Sequence, residues 1–206
     1  RLRTGSPSVA GRRPHVGVLA LQGDVREHAR VLTDLGAQVD LVRRPSELGA
    51  VEGLVIPGGE SSVIDKLSRA FGMQRPVRDA IHAGMPMYGT CAGLILLADR
   101  ITDGIAGQQT FGGLDVTVQR NAFGSQLDSF ETDLDVPALG ARPVHAVFIR
   151  APLVQEAGPD VEAMARLEDG RIVAVRRGPL LGTSFHPEVT GEHRFHELFL
   201  DAVRAA

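Results

Sequence analysis

The chain has 206 residues, 43% of them hydrophobic, 23% charged and 4% aromatic, and a formal net charge of −3. This balance describes a globular protein and argues against disordered, collagen-like or membrane-spanning classes, since apolar stretches such as Leu94–Ala98 fall far short of the roughly 20 residues a spanning helix needs. The charge provides no basic field for nucleic acid, and a lone cysteine leaves no disulfide framework and no multi-cysteine metal site.

Residues 1–14 are rich in Gly, Ser, Pro and Arg. They read as a flexible arm or an expression remnant, ahead of a single domain over 15–206. No apolar segment follows the early arginines, so no secretory signal is visible and the cytoplasm is the expected compartment, where one thiol stays reduced.

Val16–Leu21 is a short apolar run bounded by Gly23 and reads as a buried strand. Asp24 is a candidate N-cap. Val25, Ala29, Leu32 and Leu35 then share one helical face, and Gly36 ends the helix. Val39–Val42 and Val51–Ile56 are the next strands, the second stopped by Pro57-Gly58-Gly59. Helices are expected from about Ser61 and from about Pro76 to Ala83. Pro86–Thr90 is a fourth strand and Ala92–Ala98 begins another helix. Such alternation, with short Gly-marked turns, implies right-handed βαβ units and a parallel sheet covered on both faces. The second half reads as shorter strands at Leu114–Val118, Val144–Ile149, Glu162–Leu167, Ile172–Arg176 and Leu181–Phe185. An amphipathic helix over Glu192–Arg204 closes the chain, with Phe195, Leu198, Phe199 and Ala202 on its apolar side. The fold class is α/β, a three-layer sandwich with a mostly parallel central sheet.

Gly89-Thr90-Cys91-Ala92-Gly93 lies between an apolar strand and an apolar helix. This is the thiol form of the nucleophile elbow, in which the turn strains its central residue and leaves no room for neighbouring Cβ atoms. It lifts the sulfur to the carboxyl edge of the sheet, where open α/β sheets bind ligands, and near a helix N-terminus that favours the thiolate. The Ala92 N–H can donate to an oxyanion. The alternative is a buried cysteine acting as a small hydrophobe.

His186-Pro187-Glu188 follows the last strand. In an extended segment residues i and i+2 project to one side, so the glutamate can orient the imidazole, as cysteine catalysis requires. Pro57-Gly58-Gly59-Glu60-Ser61-Ser62 leaves the third strand at the same edge as Cys91. A phosphate loop is the rival reading, but the G-x-x-x-x-G-K-[ST] pattern is absent; an oxyanion loop pairing the Gly59 and Ala92 N–H groups fits better. His193 and His196 lie one turn apart, and with His186 a metal site is conceivable, but no ligand spacing supports it. No metal is expected.

These pieces together resemble the triad (class I) glutamine amidotransferase glutaminases, a flavodoxin-like fold, and most closely their branch in pyridoxal 5′-phosphate synthesis. The resemblance is carried by V-G-V-L-A-L-Q-G-D-V-R-E-H (16–28), L-V-I-P-G-G-E-S-S (54–62), Y-G-T-C-A-G-L-I-L-L-A (88–98), R-N-A-F-G-S-Q-L-D-S-F-E (120–131), V-F-I-R-A-P (147–152) and S-F-H-P-E-V-T (184–190). Ser62 stands where that branch has threonine, which keeps the hydroxyl. The resemblance implies hydrolysis of L-glutamine to glutamate and ammonia without a cofactor. It implies Cys91 as nucleophile, His186 as base, Glu188 as its orienting partner, and Gly59 and Ala92 as oxyanion donors. Gly59, Glu60, Ser61, Arg120, Ile149 and Arg150 are implied to bind glutamine. The implied partner is a TIM-barrel synthase subunit that consumes the ammonia in a heteromeric complex, with the glutaminase weakly active until docked. Three rivals remain: a glutaminase or γ-glutamyl hydrolase of another pathway, a regulatory module without catalysis, and a redox protein using Cys91 alone.

Overall fold

The computed structural model describes residues 12–121 and 129–206. In its first half, apolar runs and Gly-marked turns alternate strands with helices. β1 (His15–Leu19) leads to α1 (Val25–Asp34), β2 (Gln38–Val42), the single turn α2 (Pro45–Leu48) and β3 (Leu54–Ile56). Next come α3 (Ser61–Ala70), α4 (Gln74–His82), β4 (Met87–Thr90), α5 (Ala92–Leu97) and β5 (Ala98–Thr102). The second half holds β6 (Leu114–Gln119), β7 (Ser129–Leu134), β8 (Val144–Ile149), β9 (Leu153–Ala157), β10 (Glu162–Arg166), β11 (Ile172–Arg177) and β12 (Leu180–Thr183). The turn α6 (Pro187–Thr190) and the helix α7 (Arg194–Ala205) end the chain.

The main sheet runs β2-β1-β3-β4-β12-β11-β9-β6-β5, with β10 on β11, while β7 and β8 form a separate hairpin. From β2 to β12 every pairing is parallel; the β12–β11, β11–β9, β9–β6 and β10–β11 pairings are antiparallel, and β5–β6 is parallel again. The expected mostly parallel sheet is therefore observed from β2 to β12, and the antiparallel pairings lie beyond β12.

Strand side chains alternate between two cores, as a period of two requires. Leu54, Ile56, Met87 and Leu180 pack with Ile64, Val77 and Leu94 of α3, α4 and α5 on one face. Val55, Tyr88 and Leu181 pack on the other with Leu32 of α1 and Phe195, Phe199 and Val203 of α7. This is the expected three-layer arrangement. No helix among the described residues is long and apolar enough to cross a membrane.

Several expectations need correction. The helix beginning at Ala92 ends at Leu97, and Ala98 turns extended into β5, so α5 is one and a half turns long. The third and last strands are Leu54–Ile56 and Leu180–Thr183 instead of Val51–Ile56 and Leu181–Phe185: Val51 closes the α2 turn, and beyond Ser184, whose N–H still donates to the Val173 carbonyl at 2.9 Å, the chain departs from β11. Residues 12–14, placed in a flexible arm, are tied down: Arg12 pairs with Glu52, and the Pro14 carbonyl accepts from Gln38 N–H at 2.9 Å. Residues 1–11, and positions 122–128 of the 120–131 motif, lie outside the described residues.

Candidate active site

The parallel strands β1, β3, β4 and β12 end on one edge of the sheet, and the loops beyond them enclose a cleft of about 620 Å³. Gly58, Gly59, Glu60 and Ser61 follow β3, Cys91 and Ala92 follow β4, and His186 follows β12. Arg120, Ile149 and Arg150 reach the same cleft from the antiparallel half. Every residue expected from the sequence to touch substrate is thus brought to one cavity.

Cys91 sits between β4 and α5 with φ 52°, a left-handed backbone that few non-glycine residues adopt. The glycines on either side permit the turn. A Cβ at Gly93 would run into the Ile56 carbonyl, and one at Gly89 into the Gly93 carbonyl. The side chain of Cys91 stays 8% exposed, at the cleft floor. A Cβ at Gly58 would stand 2.7 Å from the His186 ring and 3.7 Å from the Cys91 Cβ, so the bare Gly58 backbone lets imidazole and thiol meet.

His186 Nδ1 donates to Glu188 Oε1 at 2.7 Å. The expectation of this pair holds, but its geometric basis is different. The tripeptide is not extended: His186 caps α6, Pro187 takes the first helical position, and Glu188 folds back beneath the ring. With Nδ1 engaged, Nε2 is left for the thiol. Asp24 adds a second carboxylate, its Oδ2 3.7 Å from the same Nδ1. Burial opposes a charge on His186, but the facing Asp24, Cys91 and Glu188 groups outweigh it and raise its pKa above the ordinary imidazole value. Burial pushes Glu188 up to about 7, while its bond to His186 works the other way. Burial also opposes the Asp24 charge, but the hydrogen bond from His186 holds its carboxyl below the usual range. Two carboxylates therefore face one imidazole, and the less buried one keeps its charge more firmly.

Arg120 reaches across the cleft to the Glu60 carboxylate, which also accepts from the Ser62 hydroxyl at 2.9 Å. Gln22 pins the glycine turn by accepting from Glu60 N–H at 2.9 Å, and Asp24 N–H donates to the Gly58 carbonyl at 3.0 Å. Arg150 has φ 44°, a second strained residue at the rim.

Sequence reasoning missed Gln22, Asp24, His28 and His196. Asp24 was expected as an N-cap, yet its side chain makes no cap bond and faces His186 instead. Its position in a loop at the carboxyl edge of β1 is the signal that points to a site role. His196 does not join His193 and His186 around a metal; it is buried against His28. Among the described residues Asp24, His28 and Glu188 bring ligand atoms within 4.8 Å of one another, but both carboxylates are committed to His186.

The class that fold and cleft define is the glutamine amidotransferases of α/β architecture. The chain belongs to the SNO glutamine amidotransferase family, whose model matches residues 18–205. It is 67% identical over 201 residues to the pyridoxal 5′-phosphate synthase subunit PdxT of Clavibacter sepedonicus, covering 98% of this chain and 96% of that one. The PdxT of Leifsonia xyli subsp. xyli is 66% identical, covering 91% and 94%. A crystal structure of a glutamine amidotransferase superposes with a TM-score of 0.85 at 46% identity, over 91% of this chain and 98% of that one. A putative GMP synthase component from Thermoplasma acidophilum shares the fold at TM-score 0.66 and 18% identity, covering 94% and 96%.

Proposed function

We propose that this chain is the glutaminase subunit of a cytoplasmic pyridoxal 5′-phosphate synthase, cleaving L-glutamine to L-glutamate and ammonia. The observation that carries the reading is the strained Cys91 elbow sharing one cleft with an imidazole that Glu188 grips at 2.7 Å. Relatives above 65% identity named as synthase subunits support the pathway.

Cys91 passes its proton to His186, and the thiolate attacks Cδ of glutamine. The carbonyl π pair moves to oxygen, and that oxyanion takes hydrogen bonds from the Gly59 and Ala92 N–H groups. The His186 imidazolium then protonates the amide nitrogen, the C–N bond breaks, and ammonia leaves a γ-glutamyl thioester. Neutral His186 takes a proton from water, hydroxide adds to the thioester, the C–S bond breaks to give glutamate, and His186 returns its proton to the Cys91 sulfur. Glu188 and Asp24 stabilise the imidazolium formed in each half. Arg120 or Arg150 pairs with the substrate carboxylate, and Glu60 with its ammonium. Ile149 and Ser61 fill the remaining walls.

Ammonia loses its nucleophilicity on protonation, so docking on the enzyme that consumes it is an advantage. The partner in this reading is a TIM-barrel synthase subunit. The Gly58-Gly59 turn carries no side chains of its own, so a peptide rotation that completes the oxyanion hole on docking has chiefly to break the Asp24 N–H bond to the Gly58 carbonyl. The test is alkylation of Cys91 by a glutamine-like chloroketone in the presence of the synthase subunit. Labelling at Cys91 that glutamine suppresses is expected. Labelling indifferent to glutamine refutes the reading and leaves a plain reactive thiol.

A further inference from the structure

Behind the triad lies a buried polar pair that the mechanism above does not use. His28 of α1 and His196 of α7 are both fully buried, with His28 Nδ1 and His196 Nε2 2.9 Å apart. His28 Nε2 stands 3.0 Å from Thr90 Oγ1, one residue before the nucleophile, and 3.8 Å from Glu188 Oε1. Tyr88 of β4 borders both rings, edge-on to His28 at 6.4 Å and to His196 at 5.2 Å between centroids. The other ionisable groups facing His28 are Asp24 at the head of its own helix and His186.

Two hydrogen-bond arrangements satisfy these distances. In one, His28 Nδ1–H donates to His196, which leaves a buried N–H at His196 Nδ1 without a partner and turns a lone pair of His28 toward the Glu188 carboxylate. In the other, His196 Nε2–H donates to His28 Nδ1, and His28 Nε2–H donates to Thr90 with its positive end toward Glu188. The unpartnered His196 Nδ1 is then a lone pair, cheaper to bury than an N–H. The second arrangement avoids both penalties. Nor is the pair a proton relay, because its far end, His196 Nδ1, is buried with no hydrogen-bond partner among the described residues.

Two apolar side chains would fill this space without leaving polar atoms unpaired. We propose that His28, held by His196, is a positioning residue for glutamine hydrolysis: as a neutral Nε2–H donor it locks Thr90 and steadies the Glu188 carboxylate that orients His186. This rests on the glutaminase reading above. Burial keeps both rings uncharged near neutrality, lowering His28 to about 4 and His196 well below its ordinary value.

The test has two arms. In the first, ¹⁵N-histidine spectra of the chain between pH 6 and 8 report the tautomers, with assignments from single His→Gln variants. Neutral Nε2–H forms are expected at both His28 and His196; an Nδ1–H form or an imidazolium at His28 overturns the proposal. The second is ammonia release from glutamine with the synthase subunit present. His28→Leu is expected to lower kcat about 10- to 100-fold, by analogy with the loss of hydrogen-bond partners behind metal-binding side chains, with KM within about 2-fold. His28→Gln, whose side-chain N–H falls near the position of Nε2, is expected to restore kcat to within about 5-fold of the parent. Unchanged kcat in His28→Leu, or equal loss in both variants, overturns the proposal. If His28→Leu does not fold, His196→Phe takes its place, and a parental kcat there overturns it equally. A parent chain that hydrolyses no glutamine would refute the glutaminase reading, while the tautomer arm would still decide the pair.

Discussion

Glu188→Gln isolates what the carboxylate contributes to the reaction. The amide has the same size, and its oxygen can still accept from His186 Nδ1 across the present 2.7 Å contact. Only the charge is lost. At an effective dielectric constant of about 20, two unit charges about 4 Å apart attract by about 4 kcal/mol, or roughly a factor of 10³ in rate if the imidazolium forms in the transition state. Asp24, 3.7 Å from the same nitrogen, retains part of that stabilisation. The expected fall in kcat is therefore about 10²- to 10³-fold, with KM for glutamine little changed. The new amide N–H falls where Glu188 Oε2 already lacks a partner, which costs about 1–3 kcal/mol and lowers Tm by about 2–12 °C. Ammonia release should be followed well below that Tm, in the presence of the synthase subunit. Combining Glu188→Gln with Asp24→Asn should cost more than either alone, since each then lacks the other's compensation. A Glu188→Gln variant within about 3-fold of the parent kcat would refute the role given to this carboxylate.

Gly93→Ala places a methyl group against the Ile56 carbonyl and should cost about 1–3 kcal/mol, a Tm drop of about 2–12 °C by calorimetry; an unchanged Tm would show that the elbow has slack. Arg120→Ala should raise KM for glutamine about 10- to 100-fold with a smaller effect on kcat, the loss expected for one charged hydrogen bond; an unchanged KM would move the carboxylate contact to Arg150. Acid sensitivity should trace partly to His28. Its folded pKa, about 4, lies below the ordinary 6.5, so the unfolded chain binds a proton that the folded chain refuses between those values. Stability from this group is full above pH 6.5 and is lost as pH falls toward 4. Urea melts at pH 7 and 4.5 should show the parent losing about 2–3 kcal/mol more than His28→Gln, and equal losses would contradict the burial argument.

The first half of the fold is legible in the sequence because parallel strands buried on both faces are continuous apolar runs between glycine turns. β5, β7 and β9 are not. Ala98–Thr102 follows an apolar helix without a turn residue, and Ser129–Leu134 carries Ser, Glu, Thr and Asp on a hairpin with half its side chains in solvent. The elbow and the His-Pro-Glu segment are local patterns, so Cys91, His186 and Glu188 stand out as candidates in the sequence, although a helix start and not an extended segment brings the last two together. Asp24, His28 and His196 are not, because they come from opposite ends of the chain and meet only where α1, α7 and the sheet pack. A histidine on an apolar helix face gives no sign of whether it meets another ring or a leucine.

The central claim is that this chain hydrolyses glutamine through Cys91 and delivers the ammonia to a synthase subunit. Ammonia release from L-glutamine, measured with and without that subunit for the parent and for Cys91→Ala, tests it most directly. The account predicts low release by the parent alone, strong stimulation by the partner, and none from folded Cys91→Ala in either condition. Release by Cys91→Ala at the parent's rate, or silence from the folded parent with the partner present, would contradict it.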